Sequence, residues 1–437
     1  MEFGNSVGGA GDVNGDGYDD LLIGATLSGN PHDEHGAALL YLGSSNGPAA
    51  WPDWYYLGSN AHEALGYQVG EAGDVNGDGY DDFFLASGPF SVGFSGTGQT
   101  LIFHGSSNGP AAFPDTVLSA THTGAARYPR ASAAIGDINL DGFDDFAISD
   151  DLVTNTCCTG KFAGVVFVHY GSSNGLSATP SWEHWDVENN ESASFGADLS
   201  GADINGDGYA DLIVAHSKET ENGTVEVFPG GSGGLTTNRI TISPTEIDLL
   251  YEGVGFADSV TGLRDIDGDG CDEVVVGSPY EGSYFDLTNY LPVINQGVVS
   301  VHRYATNTGL FNLIWHRAGP SNDYRLGQIV CDAGDVNGDG ADDLIAMAGY
   351  SDNYRADLFT VTNGNFTAAS TWSADTIHDN WNTALNKPIA GVGDLNGDGY
   401  DDIALGMSAD PAHGEPFLNQ AYVFSAVLTN LSPLGQL

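Results

Sequence analysis

One acidic segment recurs seven times along the chain, and that repetition limits the fold more than any other feature. It reads GDVNGDGYDDLLIG at 11–24, GDVNGDGYDDFFLA at 73–86, GDINLDGFDDFAIS at 136–149 and ADINGDGYADLIVA at 202–215. RDIDGDGCDEVVVG at 264–277, GDVNGDGADDLIAM at 334–347 and GDLNGDGYDDIALG at 393–406 complete the set. The first Asp of each falls at 12, 74, 137, 203, 265, 335 and 394, a spacing of 59 to 70 residues. Seven units, about 1–62, 63–125, 126–191, 192–253, 254–323, 324–382 and 383–437, account for all 437 residues and leave no second domain.

Four short apolar runs recur in each unit. One precedes the acidic segment, as in Val7–Ala10, and one follows it, as in Leu21–Ile23. A third ends in a Gly-rich turn, as in AALLYLGSSNGP at 37–48, and the fourth often carries Trp: Trp54, Trp182, Trp315, Trp372. β-Branched and aromatic residues bounded by Gly, Asn, Asp or Pro are strand signals, and no long 3.6-period stretch separates them. Four antiparallel strands repeated seven times predict an all-β, seven-bladed β-propeller with an acidic loop in each blade. A solenoid would show distinct capping units, whereas the first unit is as regular as the second. Counting from Asp394 as from Asp12 places the fourth strand of unit 7 at the chain end, so the last blade is expected to lack its outer strand.

The acidic segment follows D-x-[DN]-x-D-G-x-x-[DE], a pattern suited to a hard cation that takes six to eight oxygens. Position one is Asp12, Asp74, Asp137, Asp203, Asp265, Asp335 and Asp394. Position three is Asn14, Asn76, Asn139, Asn205, Asp267, Asn337 and Asn396, and position five is Asp16, Asp78, Asp141, Asp207, Asp269, Asp339 and Asp398. Position seven would offer a backbone carbonyl, which leaves its side chain free to vary among Tyr18, Tyr80, Phe143, Tyr209, Cys271, Ala341 and Tyr400. Position nine closes the cage with Asp20, Asp82, Asp145, Asp211, Glu273, Asp343 and Asp402. An EF-hand would place Glu at position twelve between two helices. Here that position is apolar, from Ile23 to Leu405, and continues a strand. The expectation is about seven Ca²⁺ ions in β-hairpin loops. Neighbouring carboxylates repel by about 1–4 kcal/mol per pair in effective dielectrics of 80 to 20, and a cation removes that cost.

FGNSVGGAGDVNGDGYDDLLIGA at 3–25, LGYQVGEAGDVNGDGYDD at 65–82 and LGQIVCDAGDVNGDG at 326–340 resemble the FG-GAP repeats of integrin α-chains and their microbial relatives. The GSSNGP turns are similar to the microbial forms. The resemblance implies a calcium-binding propeller that acts in adhesion or recognition at the cell surface. Such propellers also occur in lectins, in the non-catalytic part of a phospholipase and in some polysaccharide lyases, so fold alone does not choose among these roles. In integrins only some blades carry the loop; here all seven do.

A net charge of −48, with 11 Lys and Arg against 59 Asp and Glu, opposes nucleic-acid binding and docking on an anionic membrane. No apolar stretch approaches the 18 residues of a membrane span. MEFGNSVGGAGD at 1–12 has no basic or apolar leader region, so an export signal is not expected within this chain. Four cysteines do not make a disulfide framework, and adjacent Cys157 and Cys158 could be bridged or free. Strand alternation puts the acidic loops and GSSNG turns on one face. The variable loops of the opposite face carry Tyr280, Tyr284, Tyr324, Arg325, Tyr354 and Trp381, candidates for stacking on a glycan or meeting a protein ligand. His32, His35, His62, His122, His216, His378 and His413 fall there too, without the tight spacing of a transition-metal site. No nucleophile-elbow, zincin or phosphate-loop motif occurs, and too few cations are present to neutralise an acidic polysaccharide. The expectation is therefore an extracellular, non-enzymatic recognition module, monomeric or part of a larger surface polypeptide. A lectin-like carbohydrate binder is the alternative, and a polysaccharide-degrading enzyme a more distant one.

Overall fold

The computed structural model describes residues 3–26, 35–59, 63–88, 98–120, 127–154, 162–186, 193–218, 223–244, 255–280, 284–286, 291–293, 295–350, 353–367, 370–376, 388–407, 420–427 and 430–436. Among these residues the chain is all-β and forms seven four-stranded antiparallel sheets. Blade 1 runs Phe3–Gly11, Asp20–Ala25, Ala37–Tyr41 and Trp54–Leu57, innermost to outermost. Blade 5 runs Ser259–Leu263, Glu273–Ser278, Val298–Ala305 and Leu310–Ala318, with a small ribbon of Tyr284–Asp286 and Leu291–Val293 between its second and third strands. A second ribbon, Val361–Thr362 with Asn365–Phe366, lies between the third and fourth strands of blade 6.

Each blade buries both of its faces. The buried apolar side chains fall into seven clusters, and every cluster is shared by two consecutive blades. The seventh joins Val7, Leu21 and Ile23 of blade 1 to Val392, Leu395, Ala404 and Val423 of blade 7, which closes the ring. Second strands such as Asp20–Ala25, Asp82–Ser87 and Glu273–Ser278 are buried at every residue. That is why they read as continuous apolar runs and not as alternating ones.

The recurrent Trp has a specific partner. Trp54, Trp182, Trp315 and Trp372 each pack edge-on against a Phe at the same place in the next blade's third strand. The partners are Phe103, Phe228, Phe359 and Phe424, with ring centroids 5.0, 5.3, 5.4 and 4.9 Å apart. An aromatic pair of this geometry contributes about 0.5–1.5 kcal/mol beyond its buried area.

The acidic loops interlock from blade to blade. The Asp at position eight of one loop accepts the N–H of the position-one Asp of the preceding blade. Asp12 donates to Asp81 Oδ2 (2.8 Å), Asp74 to Asp144 (2.9 Å), Asp203 to Asp272 (2.8 Å) and Asp335 to Asp401 (2.7 Å). The ring closes by the same bond, from Asp394 N–H to Asp19 Oδ2 at 2.7 Å. Asp342 takes the variant form at the seam of blades 5 and 6, where Arg264 donates its N–H (3.2 Å) and its guanidinium. At the seam of blades 3 and 4, position eight is Ala210, which offers no carboxylate. The residue before position one is Gly at five blades, and at four of them this carboxylate lies over it. A Cβ on Gly11 or Gly393, both at positive φ, would meet Asp81 or Asp19 within 2.4 Å.

The expected loss of the last outer strand is corrected. Asn430–Gln436 pairs antiparallel with Gln420–Val427 and completes blade 7. Its sequence reads poorly as a strand because Pro433 has no N–H to donate. A Pro is tolerated in an outer, edge strand, and the register slips beside it between Val423 and Phe424.

If the position-eight bond closes the ring, Asp19→Ala should lower stability by about 1–3 kcal/mol, the cost of leaving a part-buried donor unpaired. Asp19→Asn, which keeps an acceptor, should lose less. Urea midpoints at fixed calcium read both; an unchanged midpoint for Asp19→Ala would remove the bond from the closure.

Candidate functional site

Each acidic loop hangs from an apolar plug at position two. Val13, Val75, Ile138, Ile204, Ile266, Val336 and Leu395 are all buried. Above the plug, the position-one carboxylate gathers the amides of the turn. Asp12 Oδ1 accepts from Gly15 (2.7 Å) and Asp16 (3.0 Å), and Oδ2 accepts from Gly17 (2.8 Å). The arrangement repeats in the other blades, as at Asp74, Asp265 and Asp394. Position five turns back in the same way: Tyr18 N–H donates to Asp16 Oδ1 at 3.2 Å.

Position nine is the deepest group. Asp20, Asp82, Asp145, Asp211, Glu273, Asp343 and Asp402 are all fully buried at the start of a second strand. One oxygen accepts from the position-two amide, as Val13 N–H to Asp20 Oδ2 (3.0 Å). The other accepts an amide just past the third strand: Gly43, Gly105, Gly171 and Gly230 donate at 2.8 to 2.9 Å, and Val361 donates to Asp343 at 2.6 Å. Burial, first, and the loop's other carboxylates, second among the raising causes (positions one and five, and in blade 5 foremost Asp267 at position three), push these groups far above the ordinary range. Asp20, Asp145, Asp211 and Asp402 rise to about 7, and Asp82, Glu273 and Asp343 to about 8. Burial also raises the position-eight carboxyls of Asp19, Asp81, Asp144, Asp272 and Asp401.

These loops fit a hard divalent cation. Carboxylate and amide oxygens converge without a cationic partner in most blades, and in blade 5 oxygens of Asp265, Asp267 and Asp269 lie within 4.8 Å of one another. In blades 4, 6 and 7 the position-three amide group donates to the position-nine carboxylate: Asn205 to Asp211 (3.2 Å), Asn337 to Asp343 (3.0 Å) and Asn396 to Asp402 (3.2 Å). That donation offsets the buried charge, the task a cation would perform more strongly.

Position seven does more than the sequence suggests. Its side chain covers the preceding loop, so a Cβ on Gly15, Gly77, Gly338 or Gly397 would strike the rings of Tyr80, Phe143, Tyr400 or Tyr18 within 2.6 Å. At the one loop without this Gly, Leu140 adopts φ +55° and stands exposed. The GSSNG turns add to the interlock: Ser44, Ser106 and Ser172 donate their N–H to Leu395, Val13 and Val75 carbonyls of the preceding loop (3.0, 2.9 and 3.1 Å).

On the opposite face the structure brings together only part of the expected patch. Arg325 lies over the Tyr280 ring at 5.2 Å, and Tyr324 donates its hydroxyl to Asp357 (2.6 Å), which also accepts from Arg355 (2.9 Å). Tyr354 is buried in the core between blades 6 and 7 and is unavailable to a ligand. Trp381 lies outside the described residues, as do His32, His62, His122, His378, His413, Cys157 and Cys158; Tyr284 is described only in its backbone. His216 is not solvated: it is 1% exposed, with Nε2 3.3 Å from Asp186 and Nδ1 3.8 Å from Glu226. Two features escaped the sequence reading. Asp151 lies buried between Arg127 (3.3 Å) and Arg130 (3.2 Å). Trp51 and Phe113, at equivalent places in the turns of blades 1 and 2, are 82% and 77% exposed on the acidic-loop side. The repeated GPAA[WF]PD around them was the available signal.

A model of the FG-GAP repeat matches residues 3–41, 195–228, 256–302 and 389–424. Integrin alpha-PS2 of Drosophila melanogaster is 36% identical over 149 residues, 31% of this chain and 10% of that protein. Phosphatidylinositol-glycan-specific phospholipase D of Dictyostelium discoideum is 27% identical over 289 residues, 59% of this chain and 28% of that protein. The matches thus span well under a third of either relative's length. Among solved structures, the Bacillus licheniformis rhamnogalacturonan lyase is matched at a TM-score of 0.32 and 13% identity, over 60% of this chain and 55% of that one.

The raised position-nine carboxyls give a pH dependence with a definite sign. Their folded-state pKa values lie above the unfolded ones, so each stabilises the fold fully below about pH 4 and loses that contribution as pH rises through 7 to 8. With a chelator present, the thermal midpoint should therefore rise as pH falls from 8 to 5.5. A midpoint that falls over that interval would show these carboxyls to be ionised and well solvated.

Proposed function

Because the chain is a seven-bladed propeller of FG-GAP repeats, we propose that it is a calcium-loaded recognition module of the cell surface or extracellular space. Ca²⁺ is the cation the loops hold, with ligands from positions one, three, five and nine and the carbonyl of position seven. The ions are structural, and the activity is recognition, not turnover. The observation that supports this most is the acidic loop present at all seven blades, each with a fully buried position-nine carboxylate, in a chain similar to integrin α-chains.

An ion at each loop would offset the burial and, second, the repulsion that lift the position-nine pKa values. It would also brace the blade seams, since positions one and eight of neighbouring loops are bonded to each other. Extracellular calcium modules work at Kd values of about 10⁻⁴–10⁻³ M, which cytosolic calcium cannot fill. Seven divalent ions would reduce the net charge from −48 to −34, and the remaining charge favours a soluble, self-repelling module. The ligand, a protein or a glycan, is assigned to the face opposite the loops, around Tyr280, Tyr324 and Arg325, either in a monomer or within a larger surface polypeptide.

A second reading, a lectin-like carbohydrate binder, is favoured by one observation. Trp51 and Phe113 present two exposed rings at equivalent places on neighbouring blades, and exposed rings are platforms on which sugars stack.

At free calcium ten times Kd each site adds about 1.4 kcal/mol, so seven give roughly 10 kcal/mol and about 10 °C in midpoint for a chain of this size. Calorimetry with calcium and with chelator checks this; midpoints within 2 °C of each other would sink the structural role. A glycan and matrix-protein array in millimolar calcium tests recognition. Binding lost in Arg325→Ala but kept in the Trp51→Ala, Phe113→Ala double variant supports the opposite face, and the reverse pattern supports the lectin reading.

A further inference from the structure

The seven loops are not equivalent, and blade 5 combines four features, one of which, a lengthened third strand, it shares with blade 7. Its position three is Asp267 where the other six carry Asn, so its cage holds four carboxylates in place of three. Position nine is Glu273, one methylene longer. Its third strand runs on to Ala305, past His302, whereas those of blades 1–4 and 6 stop at the matching register positions Tyr41, Phe103, His169, Phe228 and Phe359. The extension carries Arg303, whose guanidinium reaches into the loop. Its Nη1 donates to Asp267 Oδ2 at 2.6 Å and its Nε lies 3.6 Å from Asp269 Oδ2.

The same extension takes the place of the amide that caps position nine in blades 1–4 and 6. Glu273 is fully buried, and its Oε2 accepts from Ile266 N–H (3.0 Å), while Oε1 has no hydrogen-bond partner. A buried, unpaired carboxylate oxygen beside Asp265, Asp267 and Asp269 marks a place that a cation would satisfy. Yet two of those carboxylates are already engaged by an arginine. No other loop has a Lys or Arg bonded to its position-three or position-five side chain among the described residues.

We propose that Arg303 is a resident counter-ion of the blade-5 loop that competes with the divalent ion, so that this site fills last and only as the guanidinium leaves Asp267 and Asp269. The proposal rests on the calcium reading above and makes one loop of the seven the sensor of ion concentration. The guanidinium is a weak competitor because it is one-third exposed and its ion pairs are screened by water.

The test is calcium titration of the full chain by isothermal calorimetry, with stoichiometry from native mass spectrometry. In the unaltered protein six ions should bind together and a seventh about five- to tenfold more weakly. Arg303→Gln, which keeps bulk and removes charge, should bring the seventh into line with the six and leave those unchanged. Asp267→Asn, which takes away the guanidinium's nearest partner and restores the side chain of the other loops, should do the same, and it serves if Arg303→Gln fails to fold. A seventh site that weakens in Arg303→Gln would make Arg303 a support that balances the fourth carboxylate, and overturn the competition. Seven equal sites in the unaltered protein would overturn it while the calcium reading stands. Uptake of no ion at all would overturn both.

Discussion

The fold depends on carboxylates that accept backbone amides at the seams between blades. Each acidic loop has to bend sharply, and a sharp bend leaves N–H groups pointing inward with no strand to receive them. The position-one Asp takes three of these amides, position nine takes one from its own loop and one from beyond the third strand, and position eight takes one from the neighbouring blade. The loops are therefore at once the turns of the hairpins and the fasteners of the ring. The apolar clusters, each split between two blades, supply most of the driving force, but they do not fix register. A directional bond from Asp394 to Asp19, across 375 residues, does.

Accumulated negative charge is the consequence of that design. Burying a carboxylate to hold an amide costs free energy unless the charge is balanced. The balance is made locally in three ways. Asn at position three donates to position nine in blades 4, 6 and 7, Arg264 pairs with Asp342 at one seam, and Arg303 lies across Asp267 and Asp269. Eleven basic residues cannot balance the remainder of 59 acidic ones. Cations from solution are the simplest way to complete the balance, and they would act where burial and neighbouring carboxylates raise the position-nine pKa values.

Much of this was legible in the sequence, because the repeat encodes it locally. Strand order, blade number, the ring and the sides of the loops all follow from a motif seven times repeated and from strand alternation. What was not legible depends on contacts between units. Nothing local marks Asp19 and Asp81 as ring fasteners, since their partners Asp394 and Asp12 lie in other blades. Tyr80 reads as a freely variable side chain, since the glycine it covers, Gly15, is 65 residues away in the sequence. The outer strand at 430–436 was missed because Pro433 and Gly435 weigh against a strand in isolation, while pairing to Gln420–Val427 decides in its favour. Tyr354 was expected to be exposed, and its burial arises from packing between blades 6 and 7 that no local pattern announces.

The same distinction between local and inter-blade information explains where variation is tolerated. Positions one, five and six never change in the seven copies, and the side chains of positions one and five accept amides of their own loop. Positions seven and eight meet a neighbour, and at two seams a departure on one side stands with a departure on the other. Ala210 replaces the carboxylate at a seam where the preceding loop also departs from the pattern, with Leu140 for Gly. Arg264 replaces Gly next to Asp342, and turns a packing contact into a bidentate ion pair. Blade 5 combines Asp267 with Arg303, so its one extra acid and the base that meets it arrive together. Its charge can therefore be balanced from within, and a loop that balances itself has the least need of an ion.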